Sequence, residues 1–250
     1  MREIVEKFRA FDNYQLHFAT ERATRLIYQK HVRPGEVVVD CGAGLGEHTR
    51  PLATIVGPMG LVHAFEPNPD HFAKLIAIGG NVRLWPFAVG NALSVETLRV
   101  PVGLDGWASL VDRRDKLRDK QFVSRTVLQV RLDDLPEVVD RTLRFVKIDV
   151  ETRELHALQG MLRLLERDRP LVILEDGTEQ IRELCSSIGY SMRDFFNRPF
   201  NPLDSVLVNC VALPRELQDK AIESFMLGAE ELKLLYEKTI RMVFDRTAGL

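Results

Sequence analysis

Three charged side chains alternate with apolar ones at Lys147, Asp149 and Glu151, within the stretch FVKIDVET (145–152). The apolar residues Phe145, Val146, Ile148 and Val150 mark a strand, and in an extended chain every second side chain shares a face. A lysine and two carboxylates on one face are equipped for proton transfer, one carboxylate acting as general base while the ammonium orients a ligand or holds the acids. The same Asp149 and Glu151 are hard oxygen donors of the kind that hold Mg²⁺. A structural reading competes, in which Lys147 pairs with Asp149 at the sheet edge and Glu151 faces solvent.

A second constellation lies near the start of the chain. VVVDCGAGLGEHT (37–49) runs from an apolar strand through Gly42, Gly44 and Gly46 into a helical pattern. Glycines there permit a tight turn and let a ligand touch the backbone beside a helix N-terminus. Their spacing differs from the G-x-G-x-x-G of dinucleotide sites. Asp40 would repel a pyrophosphate but attract a cofactor bearing an ammonium and a sulfonium, and S-adenosylmethionine is such a cofactor. One strand later, Glu66 in LVHAFEPNP (61–69) is placed to accept hydrogen bonds from ribose hydroxyls, a role it would serve equally for NAD.

These residues need an open sheet whose strand ends face one crevice. RPGE (33–36) breaks a helical N-terminal stretch over 1–31, and strand-like runs at 37–39, 61–66, 144–150 and 170–175 then alternate with helical periodicity, as at Leu155, Leu158, Leu162 and Leu165. Such alternation predicts an α/β fold with a mainly parallel sheet. An insert at 93–131 reads as extra strands around a charged loop, and IGYSMRDFF (188–196) with DSVLVNCVAL (204–213) as an antiparallel pair. The expected organisation is a helical extension over 1–32, a catalytic core over 33–213 and a C-terminal helix over 214–250, together one domain. The stripe Leu217, Ala221, Phe225, Leu232, Leu235 and Val243 suits that helix to docking or to a homo-oligomer interface.

The chain has 250 residues, 45% hydrophobic and 28% charged, with 34 Lys plus Arg against 36 Asp plus Glu. That balance argues against a nucleic-acid partner. No apolar run suits a bilayer, the N-terminus lacks a secretory pattern, and Cys41, Cys185 and Cys210 lack metal spacing, so the expectation is a cytoplasmic protein.

Taken in order, VVVDCGAGLGEHT, AFEPNP, FAVGN, RLDDL and FVKIDVETRELHALQGMLRLLERDRPLVILE resemble the successive motifs of the FkbM-type S-adenosylmethionine-dependent methyltransferases. The resemblance spans about residues 36–176, and Lys-x-Asp-x-Glu followed by ELxxLxG is its most specific part. It implies a class I, Rossmann-like methyltransferase fold and methylation of hydroxyls on sugars, polyketides or related natural products. It implies cofactor contacts at Asp40, Gly42, Ala43, Gly44, Gly46 and Glu66, with Pro67 and Asn68 in the same motif. Phe87 and Ala88 match the segment near the adenine, and Lys147, Asp149 and Glu151 border the transfer site. The family pattern usually has glycine after that glutamate, where this chain has Thr152.

Trp107 and Ser109 lie in the insert and are candidates for the acceptor pocket, and FFNRPFNPLD (195–204) for its rim. His48 follows the glycine turn and faces either ligand or solvent, while His156 falls out of step with its leucines and is expected in solvent. The leading reading is an O-methyltransferase acting on a small molecule or glycan. Its rivals are an NAD-dependent oxidoreductase, an RNA or protein methyltransferase, and a non-catalytic cofactor-binding scaffold.

Overall fold

Strand β1 (Val37–Cys41) is buried along its whole length, which its three consecutive valines suit on both faces of a covered sheet. The computed structural model describes residues 2–112, 114–217 and 226–247. They form two compact units, one of residues 32–175 and one of residues 1–31 with 176–250.

In the first unit, Gly35 takes a φ of 85° and Arg33 donates its N–H to Glu36 at 2.7 Å, which turns the chain into β1. Helix α3 (Thr49–Val56), β2 (Leu61–Phe65), α4 (Pro69–Leu75) and β3 (Val82–Trp85) follow. After the insert come α5 (Pro136–Val139), β7 (Leu143–Ile148), α6 (Glu154–Gln159), α7 (Leu162–Asp168) and β8 (Leu171–Leu174). The strand order β3-β2-β1-β7-β8 is parallel throughout. The chain runs outward from β1 to β3 and returns on the other side of β1 at β7. The order therefore reverses between β1 and β7, where open α/β sheets bind ligands beyond the strand ends. Register places Ala64, Asp40, Lys147 and Ile173 in one row across β2, β1, β7 and β8.

The insert supplies β5 (Ser94–Pro101) and β6 (Phe122–Val130), which with β4 (Phe87–Val89) just before it form a separate small sheet in the order β4-β6-β5. One face buries Ala88, Leu98, Val100 and Val127, with Ala108 and Leu110 packed against them. The helical pattern over 154–168 divides at Gly160, where a Cβ would stand 1.9 Å from the Gly90 carbonyl oxygen. Asp133 then caps α7, accepting from the N–H of Arg163 at 3.0 Å and Leu164 at 3.1 Å.

The second unit has α1 (Arg2–Arg9), α2 (Asn13–His31), α8 (Glu179–Ser187), the expected antiparallel pair β9 (Tyr190–Asp194) and β10 (Cys210–Pro214), and a last helix over Ala229–Thr247. Two N-terminal helices replace one, because Asp12 accepts from the Gln15 N–H at 2.8 Å and starts a new helix. The C-terminal helix does not begin at 214. Pro214 ends β10, Arg215–Leu217 is a short 3₁₀ turn, and the helix starts at Ala229 after Gly228. Leu232 and Leu235 of the expected stripe are buried, whereas Ala221 and Phe225 and the side chain of Val243 lie outside the described residues. Lys30 ties α2 to this helix through Glu231 at 2.5 Å and the Met226 carbonyl at 2.8 Å. No described helix is long and apolar enough to cross a membrane.

Candidate active site

The turn after β1 depends on its glycines for three different reasons. Gly42, Gly44 and Gly46 all have positive φ, at 80°, 54° and 85°. At Gly42 a Cβ would stand 1.8 Å from the Asp149 carbonyl oxygen, so the backbone beyond β1 lies directly against the backbone beyond β7. At Gly46 a Cβ would meet Ile78 at 2.8 Å and Leu75 at 3.0 Å. At Gly44 it would meet nothing within 4 Å, which leaves an open space above the turn.

Glu66 is buried and organises this turn from the end of β2. One carboxylate oxygen accepts the Gly44 N–H at 2.7 Å and the other the Asn68 N–H at 2.8 Å. Burial pushes its carboxyl up to about 7, against the pull of those two N–H groups. Asn68 caps α4 by accepting from the Asp70 N–H at 3.2 Å, with Pro69 in the first turn. Pro67 is half-buried, Phe87 likewise, and Ala43 and Ala88 are buried. Asp40 is fully buried, and Thr49 donates to its Oδ2 at 2.7 Å. Its Oδ1 and the Asn68 Nδ2 are buried and have no hydrogen-bond partner. Orphaned polar atoms of that kind are rare unless a ligand or water completes them.

The strand of the Lys-x-Asp-x-Glu motif ends at Ile148, two residues short of the expected boundary. Glu151 and Thr152 take φ of 54° and 78°, so the extended geometry that was to align residues 147, 149 and 151 does not persist. The charges meet by a different route. Lys147, 2% exposed, reaches Asp149 at 2.9 Å, and the turn brings carboxylate oxygens of Asp149, Glu151 and Glu175 within 4.8 Å of one another. A β-branched residue at positive φ carries strain of about 1–3 kcal/mol.

Glu175 was not singled out in the sequence. Its signal is its place: it follows β8 directly, as Asp149 follows β7, and its N–H donates to the Ile148 carbonyl at 3.1 Å. Burial, then the charge of Asp149, pushes the Glu175 carboxyl up to about 10. Burial alone would also raise Asp149. The Lys147 ammonium, hydrogen bonds from Glu175 and Lys147, and His48 outweigh that and hold Asp149 below the usual carboxylate range. The two carboxyls are thus pushed apart, Glu175 toward the protonated form and Asp149 toward the ionised one.

The remaining candidates sort by burial. His48 is buried at the head of α3, not on its surface. His156 is half-buried rather than in solvent, and burial, with Arg153 nearby, lowers its pKa. Trp107 is half-exposed in a 3₁₀ turn, while Ser109 is buried and donates to the Glu151 carbonyl at 2.8 Å.

The FkbM methyltransferase domain model matches residues 40–198, from the acid at the end of β1 past the end of β9. The chain belongs to that family. Among curated proteins it is similar to the ribosomal RNA small subunit methyltransferase H of Chromobacterium violaceum, 24% identical over 237 residues, spanning 84% of this chain and 74% of that one. Among solved structures it is similar to the FkbM methyltransferase of Methylobacillus flagellatus (16% identity, TM-score 0.44, 85% of this chain). The chain spans 57% of that Methylobacillus protein's length. A SAM-dependent methyltransferase of Aquifex aeolicus is 12% identical with a TM-score of 0.41, covering 84% of this chain and 94% of that one.

The donor of an FkbM methyltransferase is S-adenosylmethionine, and the turn suits it. The unpartnered Asp40 oxygen would accept from an ammonium, Glu66 would offer its remaining lone pairs to ribose hydroxyls, and the space above Gly44 would admit a ligand against the backbone. Held there, the cofactor would supply an electrophilic methyl on a sulfonium.

Proposed function

We propose that this protein transfers a methyl group from S-adenosylmethionine to a hydroxyl of a small molecule, sugar or secondary metabolite. The observation that carries the reading is the contact of Gly42 with the Asp149 carbonyl, which sets the acid cluster directly beside the glycine turn. Asp40, Gly42, Ala43, Gly44, Gly46, Glu66, Pro67 and Asn68 form the cofactor side, with Phe87 and Ala88 toward the adenine. Lys147, Asp149 and Glu151 form the acceptor side, and Trp107 is assigned to its rim because Ser109, two residues on, donates to the Glu151 carbonyl.

Methyl transfer from a sulfonium is an in-line displacement, driven largely by proximity and orientation. The acceptor hydroxyl must also lose its proton. Asp149 is held by Lys147, which favours its ionised form, so it can accept a hydrogen bond from that hydroxyl, and Glu151 is the second carboxylate in reach. Lys147 fixes the base and keeps the charge of the cluster balanced. Asp149, Glu151 and Glu175 are spaced so that one divalent cation such as Mg²⁺ would find an oxygen from each. A soluble, cytoplasmic setting fits the buried free thiols of Cys41, Cys185 and Cys210.

The test is turnover with labelled S-adenosylmethionine against a panel of hydroxylated acceptors, with and without Mg²⁺. Ribosomal RNA belongs in a separate arm, because one curated relative acts on it. Methylation of the RNA with no alcohol turned over would overthrow the small-molecule reading. Loss of activity in chelator, restored by Mg²⁺, would assign the cluster to a metal.

A further inference from the structure

We propose that Ser109 is a positioning residue for methyl transfer, a strap that holds the left-handed turn at Glu151 and Thr152 and so sets where the Glu151 carboxylate stands. Two consecutive non-glycine residues at φ of 54° and 78° persist only where their surroundings over-determine them. The flanks of the turn are tied by the Asp149 N–H to the Cys41 carbonyl at 3.0 Å and by the Val150 N–H to Glu154 Oε1 at 3.1 Å. The turn itself is tied by Ser109, whose hydroxyl donates to the Glu151 carbonyl at 2.8 Å. Thr152 is exposed, so packing of its own side chain does not hold it there.

Ser109 is suited to this because it is buried and tied on both sides of its backbone. It is 2% exposed, and its N–H and carbonyl exchange hydrogen bonds with Arg99 of β5 at 3.1 and 2.9 Å. Its oxygen also accepts the Val111 N–H at 3.1 Å, which fixes the direction left for donation. The insert sheet thereby reaches the acid cluster through the backbone of the strained turn. Without the hydroxyl, the turn relaxes toward ordinary backbone and swings Glu151 away from Asp149 and Glu175. With glycine at 152 the steric opposition at that residue is removed and Glu151 alone keeps a strained φ, so the turn leans less on the strap.

The inference rests on the assignment of Glu151 to the acceptor side, and its test has an arm that needs no acceptor. Hydrogen exchange at the amides of residues 150–154 is compared in the parent, Ser109→Ala, Thr152→Gly and the double variant, with S-adenosylhomocysteine as the bound probe. S109A is expected to lower protection there about tenfold, with probe affinity within about twofold. The double variant is expected to lose less protection relative to T152G than S109A loses relative to the parent. Turnover should follow the same cycle, with kcat down about tenfold in S109A at little changed KM, and partly recovered in the double variant. Protection unchanged in S109A, or equally lost in S109A and the double variant, overturns the strap. Normal turnover in Glu151→Gln would instead overturn the catalytic assignment and leave the exchange cycle as it was, so the two failures are distinct.

Discussion

Lys147 lies within 2.9 Å of Asp149 while almost wholly buried, and Asp149 is 28% exposed. The carboxylate is thus open to a ligand, and the cation that holds it is not. A buried ammonium without its partner is strongly unfavourable, so the two charges are fixed together.

Asp149→Asn and Glu151→Gln preserve shape and remove proton affinity. Both are expected to slow methyl transfer about 10²–10⁴-fold while S-adenosylhomocysteine binding changes little. Turnover, probe affinity and melting temperature on each variant check this. A structural ion pair would show the reverse, with stability lost and the rate of the folded fraction kept.

Glu66→Ala is expected to weaken S-adenosylhomocysteine by about 1–3 kcal/mol, the loss of charge-assisted hydrogen bonds. The pH dependence follows from its raised carboxyl. Burial lifts it from 4.5 to about 7, so its contribution to the stability of the free protein is full below 4.5 and is lost as pH rises through 7. Ribose hydroxyls donate to the ionised form, so affinity runs the opposite way and should climb up to about pH 8 before levelling. Calorimetry across that range, with Glu66→Gln lacking the climb, is the measurement.

Gly42 and Gly44 should respond differently to alanine. Gly42→Ala drives a methyl into the Asp149 carbonyl at positive φ, and a stability loss above about 2 kcal/mol is expected in urea denaturation. Gly44→Ala meets open space, so the protein should fold with a loss of about 1–2 kcal/mol from its φ alone. Its S-adenosylhomocysteine affinity should nonetheless fall about tenfold, because the methyl occupies the space where ligand meets backbone.

Leu232 and Leu235 are 0% and 1% exposed on the C-terminal helix. Alanine at either position is expected to lower stability by about 2–5 kcal/mol. Limited proteolysis of the parent should leave this helix intact. Its rapid removal with no change in melting temperature would show that the two leucines contribute nothing.

The parallel strands were legible because each is a short apolar run bounded by turn residues, and the acids at their ends stand out against those runs. Asp40, Glu66 and Asp149 could be read in this way. Glu175 obeys the same rule, but as an acid closing PLVILE it gives no sign by itself that it meets Asp149. That depends on β8 lying beside β7, which is a property of strand order. The turn at Glu151 was hidden for another reason. Alternating charge predicts extension, while the left-handed backbone is held by Ser109, 42 positions away in the chain. The start of the last helix was misplaced because Leu217 fits a helical stripe, although it ends a 3₁₀ turn.

The row Ala64, Asp40, Lys147 and Ile173 runs across four strands rather than along one. Asp40, two residues before the glycine turn, and Lys147 of the charged motif are thus neighbours in space with more than a hundred residues between them. Nothing in that adjacency depends on the length of the intervening chain. Insertions or deletions in the crossovers, including the whole β5–β6 hairpin, can change the acceptor's surroundings while the row stays in place. A slip of a single residue within β1 or β7 would turn these side chains to the opposite face of the sheet. Variation among relatives should therefore accumulate as loop length and spare strand register.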